Sequence, residues 1–165
     1  MHSSDAPEGA SPPDKLWSLV TWLVGHVYVD SRRLVTDAFG NSTSRTDLAV
    51  LAGLAEYGPV SQAVLGRRLG MNLGDMVAVL KRLEAQAWVT RREDPQDRRR
   101  HTIAITDDGA AALDRLEERA LAAQAELLEP LSPPQREQLV TLLQTIVGHH
   151  RDYRRPEGGA SGTPA

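Results

Sequence analysis

The chain has 165 residues, 41% of them hydrophobic and only 4% aromatic, so Leu, Val and Ala must fill a core of one domain with at most a dimerisation extension. It contains no cysteine, which excludes disulfides, thiolate metal sites, a cysteine nucleophile and a thiol redox switch. The net charge of −3 is unevenly spread: residues 61–100 carry nine Lys/Arg against five Asp/Glu, which leaves −7 for the remainder. A basic middle in an acidic chain suits a local phosphate-binding surface, although composition alone fits a solvated charged face equally well.

In chain order, residues 1–13 are polar and Pro-rich and read as a disordered tail. They lack the basic-then-apolar pattern of a signal peptide, and no later run is apolar enough to span a bilayer, so no membrane partner and a cytoplasmic protein are expected. Leu16, Leu19, Val20, Leu23 and Val27 fall at helical spacing, and the pattern continues to Gly40, predicting one long first helix over 15–40. Ser44-x-x-Asp47 has the form of a capping box and opens a helix carrying Leu48, Leu51, Leu54 and Ala55, closed by Gly58-Pro59. Ser61 then caps a short helix that Gly70 ends. Asn72-x-x-Asp75 opens another, to about Ala87, with Met76, Val79, Leu80 and Leu83 facing inward.

Two helices across a tight Gly-containing turn make a helix-turn-helix. Residues Trp88–Glu93 and His101–Thr106 read as paired strands, with Ile103 and Ile105 turned inward, and the charged segment 94–100 makes the hairpin a basic wing. Thr106 caps a long helix to Glu129, whose Leu113, Leu116, Ala120, Ala123 and Leu127 recur like a coiled-coil seam. Leu131-Ser132-Pro133-Pro134 starts the last helix, lined by Leu139, Leu142, Leu143 and Ile146, before a second tail at 156–165. The predicted fold is therefore mainly α with a small β-hairpin wing: a winged helix-turn-helix lobe over 45–106 between dimerisation helices at 15–40 and 107–155. The apolar stripes of those flanking helices suit either an intramolecular core or a second copy of the chain. A homodimer is expected, because so small a lobe cannot cover them.

These residues resemble the MarR family of bacterial regulators over roughly 16–153. The resemblance is sharpest in Leu69–Glu84, Trp88-Val89, Asp94–Arg100 and Ile105–Gly109, with Asp97 and Arg99 matching the family's Asp-x-Arg wing. It implies a two-fold dimer built through the first, fifth and sixth helices, bound to double-stranded DNA at a pseudo-palindromic operator, most simply as a repressor. A recognition helix over 72–86 would enter each major groove, bringing Asn72, Leu73, Gly74, Asp75, Val77, Ala78, Lys81 and Arg82 to it. Arg99 would enter the minor groove, where Asp97 holds it or bonds the DNA edge, a structural salt bridge being the equal alternative. Arg98, Arg100 and the helix start at Ser61 and Gln62 would contact phosphates. Many relatives carry Thr and Arg where Val77 and Ala78 stand, so a base-reading guanidinium is missing. Asn72, Lys81 and Arg82 remain as polar readers, with Val77 and Ala78 set to touch thymine methyls.

The resemblance also implies a small aromatic or anionic effector bound between the dimerisation helices and the winged lobe. Candidates on the first helix are Trp17, Trp22, His26, Tyr28 and Arg32. Plain packing is the preferred reading for the two tryptophans, and an interface histidine for His26. No metal site is expected, since the adjacent His149 and His150 point to different sides of a helix. No cofactor and no enzymatic activity are expected, as no phosphate loop, nucleophile triad or convergent carboxylate pair occurs at a usable spacing. The alternative is an architectural or protein-interaction winged helix without ligand response.

Overall fold

The computed structural model describes residues 12–40, 43–93 and 101–153. Both tails and the wing tip at 94–100 lie outside the described residues, save that Pro12 and Pro13 lead into the first helix. The chain divides into two units, Met1–Leu127 and Leu128–Ala165.

The single helix expected over 15–40 is two helices, α1 (Asp14–Trp17) and α2 (Val20–Phe39). Between them Ser18 donates its hydroxyl back to the Lys15 carbonyl at 3.1 Å, and Leu19 is extended at φ −88°, ψ 111°. A serine that competes for backbone carbonyls is a weak helix interior, and here it marks the break.

Helix α3 (Arg45–Tyr57) opens with the expected capping box. Ser44 Oγ accepts the Asp47 N–H, and Asp47 Oδ2 accepts the Ser44 N–H at 2.7 Å. Strand β1 (Val60–Ser61) leads into α4 (Gln62–Leu69) and α5 (Leu73–Ala85). Strands β2 (Val89–Glu93) and β3 (His101–Ile105) follow, then α6 (Asp107–Leu127). The hairpin keeps the predicted strands, with Val89 opposite Ile105 and Glu93 opposite His101. Strand β1 is an addition that the sequence did not signal. It pairs Val60 with Ile103 and Ser61 with Thr102, so the antiparallel sheet runs β1-β3-β2. Two residues are too few to show an alternating pattern.

One core joins these elements. Phe39 of α2, Val50, Leu51 and Leu54 of α3, Leu65 of α4, and Met76, Val79, Leu80 and Leu83 of α5 meet Val89, Ile103, Ala112, Leu113 and Leu116. Each fully buried leucine there contributes about 2 kcal/mol by leaving water. The seam on α6 belongs partly to this core: Leu113, Leu116 and Ala123 are buried within the single chain, where α6 packs along α2. Of the two readings that stripe allowed, the intramolecular core accounts for these three residues.

The other apolar faces stay open. Leu16, Trp17, Leu19, Val20, Val24 and Val27 are exposed near the start of the chain. In the second unit, α7 (Pro133–Tyr153) is opened by the Ser132 N–H donating to Gln135 Oε1 at 2.8 Å, and its Val140, Leu142, Leu143, Ile146 and Val147 are exposed.

Two helices end in the same Schellman turn with different residues at its left-handed position. After α4, Gly70 (φ 66°) sits where Met71 N–H reaches the Gly66 carbonyl. After α5, Trp88 N–H reaches the Leu83 carbonyl in the same way, but the left-handed residue is Ala87 at φ 58°. Its Cβ crowds the following backbone. We expect Ala87→Gly to stabilise the fold by about 0.5–1 kcal/mol, seen as a thermal midpoint raised by roughly 1–4 °C.

Candidate nucleic-acid interface

The helix-turn-helix is built from caps outward. Ser61 Oγ accepts the Val64 N–H at 3.4 Å to start α4. Asn72 does more at the start of α5: its Oδ1 accepts the Asp75 N–H at 2.9 Å, and its Nδ2 donates to Asp75 Oδ2 at 2.6 Å. Both ends of the Asn72 amide are therefore used within the cap. Asp75 is partnered by it and sits favourably at the positive end of the helix dipole.

Helix α5 turns Met76, Val79, Leu80 and Leu83 into the core, as expected. The opposite stripe carries Gly74, Ala78, Lys81 and Ala85, all exposed, with Leu73 (69% exposed) and Val77 (47%) along its edge. Arg82 lies on the other edge and is engaged. Its Nη2 is 2.7 Å from Asp47 Oδ1 and 3.3 Å from Ser44 Oγ. Asp47 is 2% exposed, so the guanidinium is the charge that balances a buried carboxylate at the start of α3. Of the three polar readers expected on this helix, Asn72 takes part in a cap and Arg82 in an ion pair. Lys81 makes no ion pair among the described residues.

Basic side chains around this helix divide similarly. Arg68 lies over the Tyr57 ring at 4.3 Å, and Arg91 of β2 pairs with Glu84 of α5, bracing the wing against the reading helix. Arg67 and Arg92 are exposed and make no ion pair among the described residues. Gln62 is half-buried at the first turn of α4. Asp97, Arg98, Arg99 and Arg100 lie outside the described residues.

The effector candidates separate into two groups. Trp22 and His26 stack at 3.6 Å, His26 Nδ1 donates to the Trp22 carbonyl at 2.9 Å, and Trp17 tilts against Trp22 at 5.8 Å. Tyr28 and Arg32 instead line a cavity of about 230 Å³ with Val35, Phe39 and the segment Thr43–Thr46. Sequence reasoning missed that segment. Ser44 lines the cavity and also touches both Asp47 and Arg82, so the cavity wall is one side chain away from the reading helix. No periodicity signals this link, because Asp47 and Arg82 are far apart in sequence. The rings of His149 and His150 lie 5.3 Å apart, nearer than alternate sides of a helix suggest. Among the described residues no three His, Asp or Glu gather as metal ligands, and no helix is long and apolar enough to cross a membrane.

A short capped helix, a left-handed glycine turn and a second helix with an open outer face, backed by a three-stranded sheet with a basic hairpin, define a winged helix-turn-helix regulator. The sequence profile of the MarR family matches residues 42–100. The chain is 30% identical over 114 residues to YkoM, an uncharacterised HTH-type transcriptional regulator of Bacillus subtilis (strain 168), covering 69% of this chain and 74% of that one. Identity to the HTH-type transcriptional repressor NicR of Pseudomonas putida is 30% over 118 residues, covering 68% and 72%. The fold superposes on CouR of Rhodococcus jostii RHA1 bound to p-coumaroyl-CoA with a TM-score of 0.67, 26% identity and coverage of 79% and 93%. On CouR bound to a 23-mer DNA duplex, the TM-score is 0.74 at 24% identity, covering 87% and 99%. The chain belongs to the MarR family of transcriptional regulators.

Proposed function

We propose that the chain is a homodimeric repressor that binds a pseudo-palindromic operator in double-stranded DNA, two reading helices entering successive major grooves. The observation that carries this reading is α5, capped at Asn72, anchored by four core side chains and left open along Gly74–Ala85. The exposed apolar residues at the start of the chain and on α7 support a dimer, since faces of this kind are seldom left to water. Residues 15–40 and 107–155 are the segments assigned to it. Arg99 is assigned to the minor groove, beside Asp97, with Arg98, Arg100, Ser61 and Gln62 on phosphates.

An effector, small and aromatic or anionic, fits the cavity beside Tyr28 and Arg32, where Arg32 makes no ion pair among the described residues. Its bound form would be felt at Ser44 and passed to α5 through Asp47 and Arg82. CouR, known with p-coumaroyl-CoA bound, supports a ligand-responsive reading.

The test is a nuclease footprint on the DNA flanking the chain's own gene. A discrete two-fold footprint is expected, whereas broad protection without symmetry would mark an architectural protein. In a gel-shift titration at fixed salt, Arg99→Ala is expected to weaken operator binding at least about tenfold, the loss of a minor-groove charge contact, and to leave the dimer intact by light scattering. Unchanged affinity would remove the wing from the reading.

A further inference from the structure

We infer that α5 selects its operator in good part through the 5-methyl groups of thymine, contacted by Leu73 and Val77. The inference rests on the proposed DNA-binding function and names the specificity device of that site.

A major-groove reader needs donors or acceptors that are free to meet base edges. Asn72 directs its Oδ1 and one Nδ2 hydrogen to Asp75, within 2.9 Å, which holds its amide at the cap. Asp75 is held by Asn72 in return. Arg82 is tied to the buried Asp47, and withdrawing it would strand a carboxylate that is 2% exposed. Gly74, Ala78 and Ala85 have no functional group. Lys81 alone brings a charge to the outer stripe, a compact ammonium on a flexible stem.

What the helix does present is apolar. Leu73 is 69% exposed and Val77 47%, one turn apart at the leading end of the helix, the end that enters a groove first in this class of motif. Gly74 and Ala78 beside them are small and let the backbone approach closely. An exposed leucine and valine at such a place meet one apolar group on a base edge, the thymine methyl. A cytosine amine in the same position would lose its water and find no acceptor. Duplex DNA is the occupant favoured by charge, because the exposed Lys81 stands one turn beyond Val77 on α5 and the exposed Arg67 lies on the preceding helix of the motif.

The experiment uses the full-length protein and the operator located by footprinting. Thymines are replaced by deoxyuridine, which removes the methyl and leaves every hydrogen-bonding group, first within the half-sites and separately in the spacer. Burying one methyl group corresponds to about fourfold in affinity, so losing one in each half-site should weaken binding roughly tenfold to fifteenfold. Spacer substitution should leave binding unchanged. The Leu73→Ala/Val77→Ala variant, altered only at exposed positions, should melt like the parent and bind thymine and deoxyuridine half-sites equally. Equal affinity of the parent protein for both duplexes overturns the inference and leaves the regulator intact. Persistent discrimination by the variant overturns the assignment to these two side chains. Absence of specific binding to any duplex overturns the regulator reading itself.

Discussion

Gly109→Ala is expected to destabilise the fold by about 3 kcal/mol, lowering the thermal midpoint by roughly 6–12 °C. Gly109 lies in the first turn of α6 against the end of the α5–β2 connection. A Cβ built there would stand 2.0 Å from the Trp88 carbonyl oxygen and 2.9 Å from Ile105 Cγ1. The carbonyl cannot yield cheaply, because it accepts the Thr106 N–H at 3.0 Å. Thr106 is pinned in turn: its hydroxyl donates to the Ala87 carbonyl at 2.7 Å and accepts the Gly109 N–H at 3.0 Å. One added methyl must therefore pull the start of α6 away from the base of the wing or break this set of bonds. Circular dichroism melts of parent and variant check it, and a midpoint within about 2 °C of the parent would show that the clamp is loose.

Breaking the Asp47–Arg82 pair has the second largest expected effect, and it separates two roles for Arg82. Arg82→Ala leaves a nearly buried carboxylate with only Ser44 for company. Asp47→Ala removes the reciprocal half of a capping box as well as the ion pair. Each is expected to cost about 2 kcal/mol, below the usual figure for a buried pair because Arg82 is 44% exposed and partly screened. The double variant should cost less than the sum by about 1 kcal/mol, measured as a double-mutant cycle in urea. Additive losses would mean no coupling. DNA binding supplies the second readout. If Arg82 positions α5, its loss weakens binding evenly across operator variants, whereas a base-reading Arg82 would relax preference at one base pair.

Most of the fold was legible because its signals are local. Ser44, Ser61, Asn72 and Thr106 each cap the helix that follows them, as spacing predicted, and the inward face of α5 came out residue for residue. The first helix was overextended, because an unbroken apolar periodicity hides a serine that folds back on its own carbonyl. Of the candidate site, the Asn72 cap was legible and the Arg82 ion pair was not. Asn72 bonds Asp75 in the same turn, as spacing signals, whereas Arg82 meets Asp47 in another helix.

The sequence by itself determined most of the order of elements, the caps that start them and the basic middle of the chain. Those properties follow from short-range spacing and composition, which a linear reading contains in full. Only the tertiary structure decided that the α6 seam is core, that β1 closes a third strand onto the wing, and that Ser44 and Asp47 join a cavity to the reading helix. Each depends on which side chain occupies the space opposite. For α5 that neighbour is Asp47, a buried carboxylate that pairs with the one guanidinium on the helix, while Leu73 and Val77 stay exposed on its outer side.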